Sequence, residues 1–356
     1  MNTLVSPISL KQEPHFDAGP EVNYPRNCWW VAAFSSEVTR EPTMRWLLDR
    51  PVLLYRTQGG DVVALDNRCP HRWAPLSDGK VVGDNIECPY HGLRFSTAGE
   101  CVLAPSQRAI PPRSTIHAYP VREADPFIWI WMGDPARIDT YDPPPDTSWV
   151  NSIVNPHQGS MIVDCNYMLI HDNLMDLTHF GFTHFASLGV SDWNSPPKVT
   201  LTDSTVMFRK EFAARPLPAF YASVTGIPEA KPVFFVTEAG WKSPAFHDGL
   251  EFMRDPEPGA DRRAEFTFYV SHAPTPISST KTLYHYVLGW DTPLPPEIDL
   301  GVGIGVVYGE DKRVLESIQR TVEQDGRGRD FPELHLQADT GQLHARRKLS
   351  ELMSRE

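Results

Sequence analysis

The sequence predicts an α+β protein that is built mainly from antiparallel sheet and divided into two domains. Its 356 residues, 41% of them hydrophobic, are enough for one large or two ordinary domains with buried cores. Short runs such as VLLYR, DVVALD, FIWIWM and EFTFYV lie between turns rich in the chain's 34 prolines and 23 glycines, which favours short strands. The strongest late helical pattern, at 310–324, predicts a C-terminal helix.

Composition and charge argue against several classes of protein. A formal net charge of -12 leaves no basic patch that would neutralise nucleic-acid phosphates. No run of eighteen apolar residues is present, so we expect no membrane span. Residues 1–24 are polar, contain three prolines and lack an apolar signal core, which predicts a loose N-terminal tail and a cytoplasmic protein.

A stretch rich in glycine and proline marks the predicted boundary between the domains. Gly133-Asp134-Pro135, followed by three prolines at 143–145, cannot continue a central strand and is typical of a linker. We therefore predict a first domain over residues 25–136 and a second over residues 137–356. The apolar segment at 129–132 should be ordinary sheet core of the first domain.

Two of the five cysteines stand close to histidines in a pattern that indicates a metal centre. An odd number of cysteines without an export signal argues against a disulfide framework. Cys69 precedes His71 and Cys88 precedes His91, with sixteen residues between the two pairs. These four side chains can hold one zinc ion, but tight loops around both pairs favour a [2Fe-2S] cluster with cysteines on one iron and histidines on the other. Cys165, in an apolar stretch, is expected only to pack.

A second pair of histidines lies in the run NLMDLTHFGFTH. His179 and His184 are five residues apart, or about 140° around a helix, so they can meet at one metal only if the helix breaks. Poor helix formers follow Phe180, which predicts a helix that ends near that residue and a chain that returns at His184. On that helix Asn173, Asp176 and His179 would share one face.

The predicted C-terminal helix offers a carboxylate for the same metal. Its apolar positions define a buried stripe, which consists of Val314, Leu315, Ile318 and Val322. Asp311 extends this stripe from the first helical turn, whereas Glu310 is expected to point toward solvent. An acidic first turn is also favoured by a helix N-terminus alone, so periodicity leaves both explanations of Asp311 open.

The two metal motifs resemble those of the Rieske non-haem iron oxygenases. The resemblance rests on CPHRWAPLSDG at 69–79, CPYHGLRF at 88–95 and DNLMDLTHFGFTH at 172–184, in the family's order and at a similar total length. It extends from about Tyr24 to the C-terminal helix, although residues 195–280 carry no motif that we identify. Within the family, the chain is most similar to the vanillate O-demethylase and dicamba monooxygenase branch.

The resemblance implies the fold and the two cofactors. An antiparallel-sheet Rieske domain would hold the [2Fe-2S] cluster and precede a helix-grip-like catalytic domain with a curved antiparallel sheet and a C-terminal helix. The cluster ligands would be Cys69, His71, Cys88 and His91. Mononuclear Fe(II) would be bound by a facial triad of two histidines and one carboxylate, namely His179, His184 and Asp311.

The resemblance also implies how electrons arrive. Asn173 and Asp176 are assigned to the catalytic site, with the Asp176 carboxylate as the hydrogen-bond partner of a ligating histidine. In a head-to-tail homotrimer, Asp176 would also bridge to His91 of the partner subunit. The glycine run at 301–309 has Val306 where a dinucleotide fingerprint needs its third glycine, so we interpret it as a flexible or close-packed segment lining the pocket. Electrons are therefore expected from a separate ferredoxin or flavin reductase that uses NAD(P)H.

The strand-like runs between residues 195 and 300 suit a curved sheet around a substrate pocket. His247, His272 and His285 are candidate pocket histidines, and the resemblance implies a substrate contact for His272 alone. Aromatic side chains near the pocket would suit an aromatic substrate. The candidates are Phe234, Phe235, Trp241, Tyr286 and Trp290.

The expected reaction is O-demethylation of an aromatic substrate by hydroxylation of its methoxy carbon. Two alternatives, a ring cis-dihydroxylating dioxygenase and an N-dealkylase, would share every metal ligand. A Rieske protein that only carries electrons would have no use for the second histidine motif. A zinc-binding interaction module, with zinc in the Cys/His site, would be colourless, unlike an iron-sulfur protein.

Overall fold

The protein consists of two compact units, each with its own antiparallel sheets. The computed structural model describes residues 3–4, 24–188, 197–260, 262–327 and 332–356. The first unit comprises Tyr24–Thr147 and Thr275–Ser278, and the second comprises Ser148–Pro274 and Ser279–Glu356 together with the N-terminal strand. The predicted α+β class is confirmed.

The division between the units lies between Thr147 and Ser148, further along the chain than the cut predicted near residue 136. Most of the predicted tail, residues 5–23, lies outside the described residues. Strand β1 (Thr3–Leu4) pairs with β13 (Lys198–Leu201) in the second unit. No helix in the described part of the chain is long and apolar enough to cross a membrane.

Three small antiparallel sheets make up the first unit. The first joins β2 (Trp29–Phe34), β10 (Val121–Ala124) and β11 (Phe127–Trp131), with β11 in the centre. The second joins β3 (Thr43–Leu47), β4 (Arg50–Arg56) and β5 (Val62–Asp66). The third joins β6 (Lys80–Val82), β7 (Asn85–Glu87), β8 (Arg94–Phe95) and β9 (Cys101–Leu103). Every residue of β11 is buried, which confirms that its tryptophans are sheet core.

One eight-stranded sheet dominates the second unit, in the order β1-β13-β14-β15-β16-β17-β18-β12. Its remaining strands are β12 (Val154–Val163), β14 (Thr205–Arg215), β15 (Val233–Lys242), β16 (Phe246–Arg254), β17 (Glu265–Ser278) and β18 (Lys281–Trp290). The helices are α1 (Tyr167–Met175), α2 (Ala219–Thr225), α3 (Leu300–Gln324) and α4 (Thr340–Met353). Cys165, just before α1, is fully buried, as predicted.

Helix α1 ends earlier than the sequence predicts. Its last residue is Met175, and Asp176 follows with extended backbone angles of φ -129° and ψ 99°. The Asp176 carboxylate accepts a hydrogen bond from the backbone N–H of Thr178 and so caps a separate 3-10 turn, Leu177–Gly181. Aspartate competes with helix continuation in this way. The prediction of one helix reaching Phe180 is therefore wrong.

Helix α3 begins earlier than predicted and buries a different face. It starts at Leu300, with Asp299 accepting from the N–H of Val302, so the glycine run is helical. Asp311 thus lies in mid-helix, and capping of an acidic first turn does not explain it. Within the predicted stripe only Leu315 is buried, whereas Val314, Ile318 and Val322 are 39%, 40% and 38% exposed. The buried face instead carries Val307, Tyr308, Leu315 and Gln319.

A buried ion pair connects α4 to the helix that precedes the second histidine pair. Arg346 is 6% exposed and binds the Asp172 carboxylate through two of its nitrogens, while a third contacts Glu333 at 2.7 Å. Burial raises the pKa of Asp172, so its ionised form depends on the guanidinium.

We predict that Arg346→Ala lowers the free energy of unfolding by about 3 kcal/mol, because it leaves the Asp172 carboxylate without its cation. Urea unfolding followed by circular dichroism measures this change. Arg320→Ala, at an exposed position of α3, is the matched control and should change stability by less than about 0.5 kcal/mol. Equal effects in the two variants would contradict the structural role of the pair.

Candidate metal centres and substrate pocket

Two similar loops of the first unit bring the predicted cluster residues together. The N–H of Cys69 donates to the carbonyl of Ala74, and its own carbonyl accepts from Trp73. Likewise, the N–H of Cys88 donates to Leu93 and its carbonyl accepts from Gly92, whose φ of 71° suits glycine. Backbone hydrogen bonds therefore fix each cysteine at the base of a tight turn.

The four side chains form an inner and an outer half of one site. Cys69 and Cys88 are 1% and 3% exposed and belong to the core of the first unit. His71 and His91 are exposed, and their rings meet edge to face with centroids 4.5 Å apart. Burial raises the pKa of the Cys69 thiol to about 11, and the neighbouring Cys88 thiol adds to the rise. A raised pKa favours the protonated Cys69 thiol, and a bound cation would compensate for burial of its thiolate.

The spread of the four donors fits a two-iron cluster better than a zinc ion. A tetrahedral zinc ion holds its ligand atoms within about 4 Å of one another. Among the described residues, the donor atoms that gather within 4.8 Å in groups of three or more belong to His179, His184 and Asp311, not to the Cys/His set. Two ligands on each of two irons give the wider spacing.

The second unit brings its two histidines and the distant aspartate to one point. His179 lies in the 3-10 turn, His184 follows it, and Asp311 approaches from α3. The Nε2 atoms of His184 and His179 lie 3.0 and 3.5 Å from Oδ1 of Asp311. Nε2 of the fully buried His184 makes no hydrogen bond of normal geometry. Three donors that face one point without satisfying one another fit a metal ion with open coordination positions.

Hydrogen bonds at Nδ1 fix which ring nitrogen faces that point. Nδ1 of His179 donates to the backbone carbonyl of Asp176 at 2.6 Å, and a carbonyl oxygen can only accept. Nδ1 of His184 donates to Oε2 of Glu310 at 2.8 Å, which also accepts from Ser187 Oγ at 2.7 Å. Both Nε2 lone pairs are thereby left for a metal. The prediction that Glu310 points to solvent is wrong.

The remaining predicted residues surround the three ligands. Asn173 Nδ2 donates to Oδ1 of Asp311 at 3.1 Å and lies 3.4 Å from Nε2 of His179. The Asp176 carboxylate caps the 3-10 turn, so the backbone carbonyl of Asp176, rather than the predicted carboxylate, contacts His179. Asn173 and His179 meet across a helix break and not along one helical face.

Burial and charge set the protonation of the histidine pair. Burial lowers the pKa of His179, which favours the neutral imidazole that a metal requires. Burial also acts to lower the pKa of His184, but the Asp311 and Glu310 carboxylates outweigh it and raise that pKa. Against the effect of burial, His184 and Ser187 lower the pKa of Glu310 and keep its carboxylate available as an acceptor.

A pocket with about 800 Å³ of empty space, part of it open to solvent, adjoins the three ligands. Its floor is the face of β15, β16 and β17, and α3 contributes Ile304, Val307 and Tyr308. His272 lies in the lining, as predicted, with its Nδ1 2.6 Å from the hydroxyl of Tyr284. His247, for which the resemblance implied no substrate contact, also lines the pocket, whereas the third candidate, His285, is not part of the described lining.

The aromatic side chains of the pocket differ from those predicted. None of Phe234, Phe235, Trp241, Tyr286 and Trp290 is part of the described lining, and Trp241 and Trp290 are core residues with 1% and 0% exposure. The lining aromatics are Phe180, Tyr221, Phe268 and Tyr308. Aromatic content alone does not tell which face of a strand meets the cavity, so the aromatic residues that line it could not be chosen from the sequence.

Sequence reasoning missed two buried polar pairs at this pocket. Tyr221 donates its hydroxyl to Oε2 of Glu251, and both residues line the cavity. His171 on α1 lies with Nδ1 3.3 Å from Nε2 of His247. Alternation along β16 places His247 and Glu251 on one strand face, but their partners come from distant elements.

Family models match both units of the chain. The model described as the Rieske [2Fe-2S] domain matches residues 28–120, and that of the vanillate O-demethylase oxygenase C-terminal domain matches residues 163–355. The iron-sulfur subunit TsaM1 of the toluene-4-sulfonate monooxygenase system of Comamonas testosteroni is 46% identical over 51% of this chain and 52% of its own length. The dicamba O-demethylase oxygenase component of Stenotrophomonas maltophilia is 44% identical over 47% of this chain and 49% of its own. The matched stretch therefore spans about half the length of these two relatives.

Other relatives align along nearly the whole chain. A putative subunit TsaM2 of the toluene-4-sulfonate monooxygenase system of Comamonas testosteroni is 30% identical, with 93% of this chain and 97% of that protein covered. The crystal structure of dicamba monooxygenase bound to 3,6-dichlorosalicylic acid is 30% identical, with a TM-score of 0.81 over 94% of this chain and 98% of that chain. Another dicamba monooxygenase structure contains non-haem iron and dicamba, with a TM-score of 0.74 over the same shares of the two chains.

The buried thiols and exposed imidazoles of the first unit fit a Rieske cluster, and the three converging donors of the second unit fit a mononuclear iron. Both arrangements agree with the family models and the full-length alignments. The chain belongs to the Rieske non-haem iron oxygenases, with a Rieske [2Fe-2S] domain followed by a catalytic domain of the vanillate O-demethylase type.

Proposed function

We propose that this protein is the terminal oxygenase component of a multicomponent monooxygenase that O-demethylates a small aromatic substrate. The convergence of His179, His184 and Asp311 beside a largely apolar pocket is the observation that carries the proposal. The matching family model is named for vanillate O-demethylase, and one relative is named as a dicamba O-demethylase, which adds support. The net change consumes a methoxy compound, dioxygen, two electrons and two protons, and yields a hydroxy compound, formaldehyde and water.

The proposed ligands divide between the two domains. Cys69 and Cys88 would bind one iron of the cluster, and His71 and His91 the other. His179, His184 and Asp311 would bind the mononuclear iron, with Nε2 of each imidazole as the donor atom. When bound, these groups store electrons and activate dioxygen next to the substrate. We keep the predicted domain limits, 25–136 and 137–356, as a proposal, and the ligands fall on the same sides of this cut as of the division between Thr147 and Ser148.

The protein's own residues hold the ligands and shape the reaction space. Glu310 fixes the ring of His184, and Asn173 holds the Asp311 carboxylate through Nδ2. Apolar side chains such as Leu174, Val270 and Val307 exclude water from the reacting carbon. We propose that His272, a neutral imidazole because burial lowers its pKa to about 3, contacts the substrate's polar substituent.

Partners and assembly follow from the same proposal. Electrons would come from a separate reductase, either directly or through a ferredoxin. A head-to-tail homotrimer would place Asp176 near His91 of the partner subunit. The exposure of the His91 side chain supports a role at such a contact. The cytoplasmic location stays a prediction.

We expect the iron-loaded oxygenase, supplied with a reductase, to release one formaldehyde per phenol formed from methoxylated aromatics. Formaldehyde and oxygen-uptake measurements test this stoichiometry, and a brown protein with Rieske-type visible bands would exclude the zinc module. A cis-dihydrodiol product would support the ring dioxygenase instead. An amine product from an N-methyl substrate, without cleavage of methoxy substrates, would support the N-dealkylase.

Asp311→Ala should lose catalytic iron and reduce turnover by at least about a hundredfold, because a site with two histidines binds iron(II) weakly without its carboxylate. Metal analysis and visible spectra measure the two centres separately, and the cluster should remain loaded. Exposed Glu265→Gln on β17 is the control. Full iron occupancy with unchanged turnover in Asp311→Ala would contradict the assignment of Asp311.

Asp176→Asn should leave both metal centres loaded but slow electron passage from the reduced cluster to the mononuclear iron by at least about tenfold. Asparagine keeps the backbone carbonyl that contacts His179 and can still cap the 3-10 turn, so the structural roles of Asp176 survive. Rapid-mixing kinetics of cluster reoxidation, with substrate and oxygen, measure the effect. A wild-type rate would remove the Asp176 carboxylate from the proposed bridge.

A further inference from the structure

The floor of the pocket is a regular grid of side chains with two polar ends. On β16, His247, Gly249 and Glu251 share one face because they alternate along the strand. Their partners on β17 are His272, Val270 and Phe268, and all six residues line the pocket. The floor thus has a histidine end, a small and apolar centre, and an end that carries Glu251.

Glu251 lies at the end of the floor away from the proposed iron site. The ring centroids of His272 and Tyr308 are 5.9 Å apart, and Tyr308 lies about one helical turn before Asp311 on α3. Four residues of strand, or roughly 13 Å, separate the Cα atoms of His247 and Glu251. A substrate whose reacting carbon lies beside the three iron ligands would therefore extend its far end toward Glu251.

Four carboxylates of the described residues line the cavity, and Glu251 is the one that has neither a cationic partner nor a place among the proposed metal ligands. No lysine or arginine is part of the described pocket lining. Among the carboxylates of the lining, Glu238 pairs with Arg209, and Asp248 pairs with Lys242 at 2.5 Å. Asp311 belongs to the proposed iron site with His179 and His184. Glu251 is 8% exposed and bonded to the hydroxyl of Tyr221, and no basic side chain of the described residues contributes to its pKa.

A buried carboxyl without a cation favours some substrates over others. A hydroxyl or amide N–H can donate to it, because a carboxyl oxygen accepts more than one hydrogen bond. A carboxylate or sulfonate placed there would meet a like charge at a buried carboxyl, where the repulsion is screened less than in water. Burial raises the pKa of Glu251 to about 7, so the group is substantially ionised above neutral pH, when the repulsion is greatest.

The imidazole of His247 is a second polar group of the floor that a substrate could contact. Nδ1 of His247, a residue only 2% exposed, has no hydrogen-bond partner in the described structure. A buried polar atom without a partner is costly, and a substrate group in the cavity can satisfy it. The floor thus offers polar contacts at both ends and an apolar surface between them, which matches an aromatic ring with polar substituents.

We infer that Glu251, supported by Tyr221, is a specificity determinant that selects aromatic substrates with a neutral hydrogen-bond donor at the end far from the reacting methyl group. Substrates with a carboxylate or sulfonate at that end are disfavoured. This inference rests on the proposed function, because it takes the iron site as the place of reaction. Glu251 acts on binding and does not take part in oxygen chemistry.

The test compares 4-methoxybenzamide with the 4-methoxybenzoate anion, which share shape but differ in charge. Isothermal titration calorimetry on the metal-loaded oxygenase at pH 8, without oxygen, should give binding of the amide at least about tenfold tighter. Glu251→Gln should keep amide affinity within about threefold and reduce the preference by about tenfold, because it removes the charge and retains the hydrogen bonds. Glu265→Gln, which changes an exposed glutamate of β17, should leave the preference unchanged.

Two results would overturn the inference. One is anion binding by the wild-type protein that equals or exceeds amide binding, a measurement that needs no variant and no turnover. The other is a folded Glu251→Gln protein with an unchanged preference. Formaldehyde release from the same two compounds tests O-demethylation separately. Amide preference without formaldehyde would refute the proposed reaction while supporting the Glu251 subsite.

Discussion

The imidazole of His184 lies between two consecutive carboxylates of α3, and the geometry of the proposed iron site depends on this contact. Glu310 accepts from Nδ1 at 2.8 Å, and Asp311 lies 3.0 Å from Nε2. Neighbouring residues on a helix point about 100° apart, so they can reach opposite nitrogens of one ring only when the helix passes alongside it. A rotation of α3 would disturb both contacts at once. The position of this helix therefore fixes the tautomer, the ring and the carboxylate together.

The same requirement explains why the chain interrupts α1. A continuous helix would carry His179 past the point where His184 and Asp311 meet, because residues five apart face different directions. Asp176 stops α1 through an extended backbone, caps the next turn with its carboxylate and holds His179 with its carbonyl. A single residue thus ends one helix, caps the next turn and orients a proposed ligand. This local use of aspartate accounts for its position even without a contact to a second subunit.

Sequence reasoning predicted the fold class, and it selected the side chains that the structure gathers at each proposed centre. The cysteine and histidine spacings are local, so they can be recognised in the sequence without knowledge of tertiary packing. Glu310 was misjudged because its direction was inferred from a helix assumed to begin at that residue. Val314, Ile318 and Val322 were misjudged because periodicity shows that an apolar face exists and not that it is covered. Strand alternation likewise leaves open which face meets the cavity, and so the pocket aromatics were misassigned.

The eight-stranded sheet determines what the pocket can recognise. His247, Gly249 and Glu251 alternate along β16 and share the face that forms the pocket floor. Because the middle residue is glycine, the surface between the two polar side chains is flat. A side chain at Gly249 would approach the carbonyl oxygen of Glu238 to 2.7 Å, so the backbone packing there requires glycine. The two polar ends are therefore held at a fixed separation by the strand itself. Discrimination by length and charge then follows from the backbone, while the iron ligands, supplied by other elements, remain independent of it.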